Sequence, residues 1–203
     1  MYYSTHLYIR FVVDRMDKRT MVDFSLTLPP TVVEQKIQEW LAEDMHTYDF
    51  AGIVVGDALE EALILCKTPG VLSGVPFVNE VFKRLQCEIE WHCDEGEMLT
   101  VLTNVATVKG PARKLLMGER LALNILSRAS GVSTLARQLQ DIANLVGWKG
   151  SIAGTRKTTP GFRLVEKYAL LVGGVAQHRN DLSSMVMLKD NHIWAAEGKV
   201  SKV

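Results

Sequence analysis

Three short polar runs hold the side chains best suited to chemistry: Thr155-Arg156-Lys157-Thr158-Thr159, His178-Arg179-Asn180-Asp181 and Lys189-Asp190-Asn191-His192. Brought together, the cations Arg156, Lys157, Arg179 and Lys189, with His178 and His192, repel one another unless an anion neutralises them. Arginine offers a planar fork that matches a carboxylate or phosphate in two-pronged fashion, and lysine adds a mobile point charge. The ligand this set implies is small and multiply anionic.

The elements around these runs explain why they should converge. Ser151-Ile152-Ala153-Gly154 is short, apolar and strand-like, and leads directly into the first run. Phe162 to Leu171 has the period of an amphipathic helix. Phe162, Val165, Tyr168 and Ala169 fall on one side, and Arg163, Glu166 and Lys167 on the other. Gly173-Gly174 is a stop signal. Met185-Val186-Met187-Leu188 reads as a second, buried strand of a parallel sheet and leads into the third run. The His178 run is expected in the loop entering that strand. Together these make one β-α-β unit. In β/α barrels and open parallel sheets, side chains just beyond the carboxyl ends of strands face the active site. Arg156, Lys157 and Lys189 are therefore expected on one surface.

Upstream, Thr31 is expected to cap a helix, with Glu34 three residues on and Val32, Val33, Ile37, Trp40 and Leu41 along one stripe. Strands are expected at Ala51 to Val55, Glu61 to Lys67, Cys87 to Cys93 and Met98 to Lys109, with a helix over Val75 to Leu85. Two buried helices should follow Ala112, joined at Ser130-Gly131, because glycine is costly inside a helix. Helices on a mostly antiparallel sheet form the expected N-terminal architecture. His92-Cys93 beside Cys87 lacks the four regularly spaced ligands of a zinc centre and reads as a strand edge.

Composition narrows the functional classes. The 203 residues are 47% hydrophobic and 23% charged, an ordinary globular balance. Twenty-three basic residues match twenty-three acidic ones, so no global charge draws the chain to nucleic acid or an anionic membrane. No apolar run reaches the ~18–20 residues of a membrane span. Three irregularly spaced cysteines suggest a reducing, cytoplasmic location rather than a disulfide framework. The basic residues between Arg10 and Arg19 alternate with Asp14 and Asp17, unlike a transit segment, and residues 1–27 read as an irregular extension.

The run Gly154 to Arg163, with Lys167-Tyr168-Ala169, Gly173-Gly174, His178-Arg179, Asp181-Leu182 and Lys189-Asp190-Asn191-His192, resembles the signature of quinolinate phosphoribosyltransferases, closest to the animal form. Gly118 to Asn124 and Lys67 to Gly74 resemble the same family, and the likeness extends over roughly Thr31 to Ile193. The resemblance implies an α+β sandwich domain for dimerisation over 28–130. An α/β barrel would begin in 131–203 and be incomplete at its C-terminus. It implies transfer of phosphoribosyl from phosphoribosyl pyrophosphate to quinolinate with loss of carbon dioxide, a step of NAD biosynthesis, with Mg²⁺ as cofactor. Arg156, Arg179 and His178 would hold the quinolinate carboxylates, Lys157 and Lys189 would reach both substrates, and Arg120 would enter from a neighbouring subunit of a homodimer or hexamer. The family's acidic residues for ribose and metal are not matched here. An inactive chain, or a non-catalytic dimerisation fragment, is the corresponding expectation.

Overall fold

The computed structural model describes residues 23–198. The basic stretch between Arg10 and Arg19 and the final Lys199-Val200-Ser201-Lys202-Val203 lie outside the described residues.

A short 3-10 turn over Phe24–Thr27 precedes α1 (Pro30–Asp44). Pro30 occupies the first helical position, where its missing N–H costs nothing, and Pro29 is the cap residue. The expected Thr31 cap is thus displaced, and Thr31 lies inside the helix. Val33, Ile37 and Leu41 form the buried stripe, while Val32 faces solvent and Trp40 packs against Phe162 at 5.0 Å between ring centroids.

Residues Phe50–Val55 form a short helix, α2, rather than the expected strand. The local reason is Asp49, whose carboxylate accepts the Gly52 N–H at 2.9 Å and caps the first turn. β1 (Leu59–Leu65), β3 (Glu88–Trp91) and β5 (Asn104–Pro111) make an antiparallel sheet in the order β1-β5-β3. β2 (Gly70–Val71) pairs with β4 (Met98–Leu99) in a separate small ribbon, so the expected strand from Met98 to Lys109 is split into two. α3 (Val75–Arg84) lies between the two ribbons in sequence and buries Phe77, Val78, Val81 and Phe82.

Ala112–Leu145 is one continuous helix of 34 residues, α4, and the expected break at Ser130-Gly131 does not occur. A glycine costs ~1 kcal/mol inside a helix. Leu121, Ala122, Ile125, Leu126 and Ala129 before it, and Ser133 and Ala136 after it, are all buried, and that packing outweighs the cost.

α5 (Arg163–Val172) docks on this frame. Val165, Tyr168, Ala169 and Val172 join the same core cluster as Phe77 and Ile125, and Tyr168 meets Phe77 edge to face at 5.5 Å. The Ser133 hydroxyl donates to the Ala169 carbonyl at 2.7 Å, and Gly173 lets α4 approach closely. Glu95 adds a polar clip. Its carboxylate accepts the Gly74 and Val75 N–H groups at 2.8 and 2.9 Å, capping α3, and also the Tyr168 phenol. Burial pushes the Glu95 carboxyl above its ordinary 4.5 despite those donors.

The β-α-β unit exists in a different register from the one expected. Ala153 bridges Ala176 in parallel, with Ala176 N–H donating to Ile152 O and Gly154 N–H donating to Ala176 O. The second strand position is therefore just beyond Gly173-Gly174. Met185–Leu188 forms no strand, and Val186 is 83% exposed. An apolar run buries itself only where a second layer covers it, and no described residue covers this one. α6 (Asp190–Ala195) follows it and buries none of its residues.

Candidate anion-binding site

The parallel bridge positions the site. Arg156 lies three residues beyond Ala153, and Arg179 lies three beyond Ala176, so two arginines leave adjacent strand ends at the same offset. The loops that carry them are held together by Arg163, whose guanidinium donates to the carbonyls of Arg156 and Asn180. The His178 run thus follows a strand instead of leading into one, which corrects the expected placement and brings it nearer to Arg156.

Arg156 is half-buried, and its Nε is a buried donor without a hydrogen-bond partner. Buried donors are nearly always satisfied, so this one marks a place where an acceptor belongs. Lys157 is exposed, its N–H donating to the Thr155 hydroxyl. Glu166 holds the next turn by accepting the Thr159 N–H and hydroxyl at 3.1 and 2.7 Å.

His178 and Arg179 are half-buried. His178 has φ 59°, the left-handed region that non-glycine residues seldom occupy, and its Nδ1 accepts the Arg179 N–H at 2.7 Å. The Arg179 guanidinium donates to the Met185 carbonyl at 3.2 Å. Asp181 closes the following turn with four hydrogen bonds from Ser183 and Ser184, which lower its carboxyl to about 2.

Sequence periodicity misplaced two cations. Arg163 and Lys167 are not a solvated face of α5. Arg163 donates to the Thr158 hydroxyl and to the carbonyls of Arg156 and Asn180. Lys167 is 3% exposed and donates to the carbonyls of Gln177 and Arg179. Burial, and then the charges of Arg163 and Arg156, depress its ammonium below the ordinary lysine value. The i, i+4 spacing of these two was the available signal, since it sets both on one helix face.

Lys189 stands apart. It is exposed at the start of α6, where its N–H donates to His192 Nδ1 at 3.1 Å, and no described contact joins its side chain to the arginine pair. Arg120 is also separate: it lies on α4, 76% exposed and 3.9 Å from Asp44. It lines an open cleft of about 1080 Å³ with Met45, Tyr48, Phe50 and Leu123, and no residue of the Gly154–His192 segment contributes to that cleft. His92 and Cys93 face Thr107 and Asn104 of β5, as strand-edge residues do. Among the described residues no group of three or more His, Cys, Asp or Glu is placed to hold a metal ion.

The model for the N-terminal domain of quinolinate phosphoribosyl transferase matches residues 48–130, and that for its C-terminal domain matches residues 132–203. The chain belongs to the quinolinate phosphoribosyltransferase family. It is 49% identical over 174 residues to the human nicotinate-nucleotide pyrophosphorylase [carboxylating], covering 86% of this chain and 59% of the human one. To the rat protein of the same name it is 50% identical over 169 residues, covering 83% and 56%. Among solved structures, NadC from Streptococcus pyogenes matches with a TM-score of 0.76 at 33% identity, covering 85% of this chain and 62% of that one. The nicotinate-nucleotide pyrophosphorylase from Francisella tularensis matches with 0.75 at 32%, covering 83% and 60%. The chain thus spans about three fifths of the length of these quinolinate phosphoribosyltransferase relatives.

Proposed function

We propose that the chain binds quinolinate through its two adjacent carboxylates and carries that half of the phosphoribosyltransferase reaction, in which quinolinate and phosphoribosyl pyrophosphate yield nicotinate mononucleotide, pyrophosphate and carbon dioxide. The observation that supports this is the matched offset of Arg156 and Arg179 beyond the Ala153–Ala176 bridge, with the Arg156 Nε left for an acceptor. Two guanidinium forks side by side suit two neighbouring carboxylates better than one. In this reading Arg156, Arg179 and His178 bind the dianion, and Lys157 and Lys189 reach toward the second substrate. Fixed cations aimed at the carboxylates orient the ring.

Arg120 belongs to this reading as a residue offered to a neighbouring subunit of a homodimer or larger assembly. Its exposed cleft is bordered by the apolar surfaces of Phe50, Ile53 and Leu116, which a second copy would cover. The cytoplasm is the location this biosynthetic reading implies. Among the described residues no helix is long and apolar enough to cross a membrane. The donor set described above does not fit the Mg²⁺ that the family resemblance implies, and no step is assigned to it.

Calorimetric titration with quinolinate tests the proposal. Saturable binding of quinolinate is expected. Absence of quinolinate binding by the folded chain overturns it.

A further inference from the structure

Lys167 presents a problem that the quinolinate reading does not solve. A lysine only 3% exposed is rare unless its charge is paired, because desolvating an ammonium is expensive. Among the described residues no carboxylate pairs with it, and its two acceptors are backbone carbonyls. Those carbonyls belong to Gln177 and Arg179, the residues on either side of His178. Gln177 returns the contact, its Nε2 donating to the Lys167 carbonyl at 3.1 Å.

The bracketed residue is the strained one. His178 at φ 59° sits in the left-handed region, which a non-glycine residue keeps only if its surroundings over-determine it. One ammonium gripping the carbonyl before and the carbonyl after fixes that turn. The turn in turn sets the direction of the His178 ring and of Arg179. One helical turn earlier, Arg163 holds the carbonyls of Arg156 and Asn180 in the same way. A single face of α5 therefore grips both strand-end loops by their main chains.

We propose that Lys167 is a positioning residue for the anion site, clamping the backbone on both sides of His178 so that His178 and Arg179 present to the ligand; this rests on the quinolinate reading for its ligand. Burial, and then the charges of Arg163 and Arg156, lower the ammonium, as befits a cation held inside this cationic cluster.

The test compares Lys167→Met with Val165→Ala, a fully buried core change on the same helix. Both are measured on the full chain, at a temperature where circular dichroism shows each fully folded. Quinolinate affinity and hydrogen exchange of the Arg179 amide are the two readouts. Lys167→Met is expected to weaken quinolinate by at least about tenfold and to speed Arg179 exchange by a similar factor. Val165→Ala should lose stability and keep both values. Unchanged affinity in folded Lys167→Met overturns the proposal, and so does an equal loss of affinity in Val165→Ala, since binding would then merely follow stability. If Lys167→Met does not fold, the native chain decides. Its Arg179 amide should exchange far more slowly than in an unfolded peptide, and exchange at the unfolded rate overturns the clamp. Should the native chain fail to bind quinolinate, the ligand assignment falls while the exchange measurement still judges the clamp.

Discussion

Two apolar valines on either side of the same site show opposite fates. Val165 on α5 is fully buried, while Val186 in the segment before α6 is 83% exposed. Each stands in an apolar pattern close to a cationic run. The difference lies in what each pattern meets. α5 lays Val165, Tyr168 and Val172 onto α3 and α4, and its opposite face grips the loops carrying Arg156 and Arg179. From Asn180 to Gly198 every residue is exposed, and the Arg179 guanidinium on the Met185 carbonyl is one of the few ties back to the body. The loops carrying the two arginines are tied to the core through α5, and the segment carrying Lys189 hangs outside it.

The largest effect that would break this contrast is on binding. Arg156→Ala should weaken quinolinate by about a hundredfold or more, the scale of losing a charged fork from a partly buried pair, while the fold survives. Lys189→Ala should cost far less, and calorimetry on both variants checks the difference. Equal losses would erase the distinction between the two regions.

Stability should divide the same way. Val165→Ala is expected to destabilise by about 2 kcal/mol, and Val186→Ala to stay within about 0.5 kcal/mol of the native chain in denaturant titrations. Gly173→Ala sharpens the point at the helix contact, where an added Cβ would lie 2.5 Å from the Ala136 Cβ and 2.7 Å from the Ser133 carbonyl. It should cost about 1–3 kcal/mol through overpacking of α5 on α4.

The smallest effect concerns pH. Glu95 has a folded value raised above 4.5, so the folded chain retains that proton where the unfolded chain has released it. Its contribution to stability is present below 4.5 and is lost as pH rises through the window just above it. Glu95→Gln should remove that slope from a pH series of melting curves.

Much of this was legible in the residues. The buried side of α5, the Gly173-Gly174 stop, α3 and the antiparallel character of the larger sheet all follow local periodicity, which the structure obeys. The strand-like segment before Arg156 was legible too, and the Ala153–Ala176 bridge lies in it. What escaped was tertiary. Gly131 reads as a break, yet the buried residues on both sides of it carry α4 straight through. Ala51 to Val55 reads as a strand by composition, and the Asp49 cap makes Phe50–Val55 a helix. Lys167 reads as solvated because nothing local announces that two backbone carbonyls from beyond Gly174 will come to meet it. Met185–Leu188 reads as a strand, but a strand needs a neighbour to pair with and a layer to cover it.

The central claim is that two arginines at matched strand ends bind two adjacent carboxylates. The direct measurement is calorimetric titration of the chain with quinolinate and, separately, with nicotinate, which lacks one of those carboxylates. The account predicts that quinolinate binds at least about tenfold more tightly, since only it engages both forks. Equal affinity for the two ligands would contradict it.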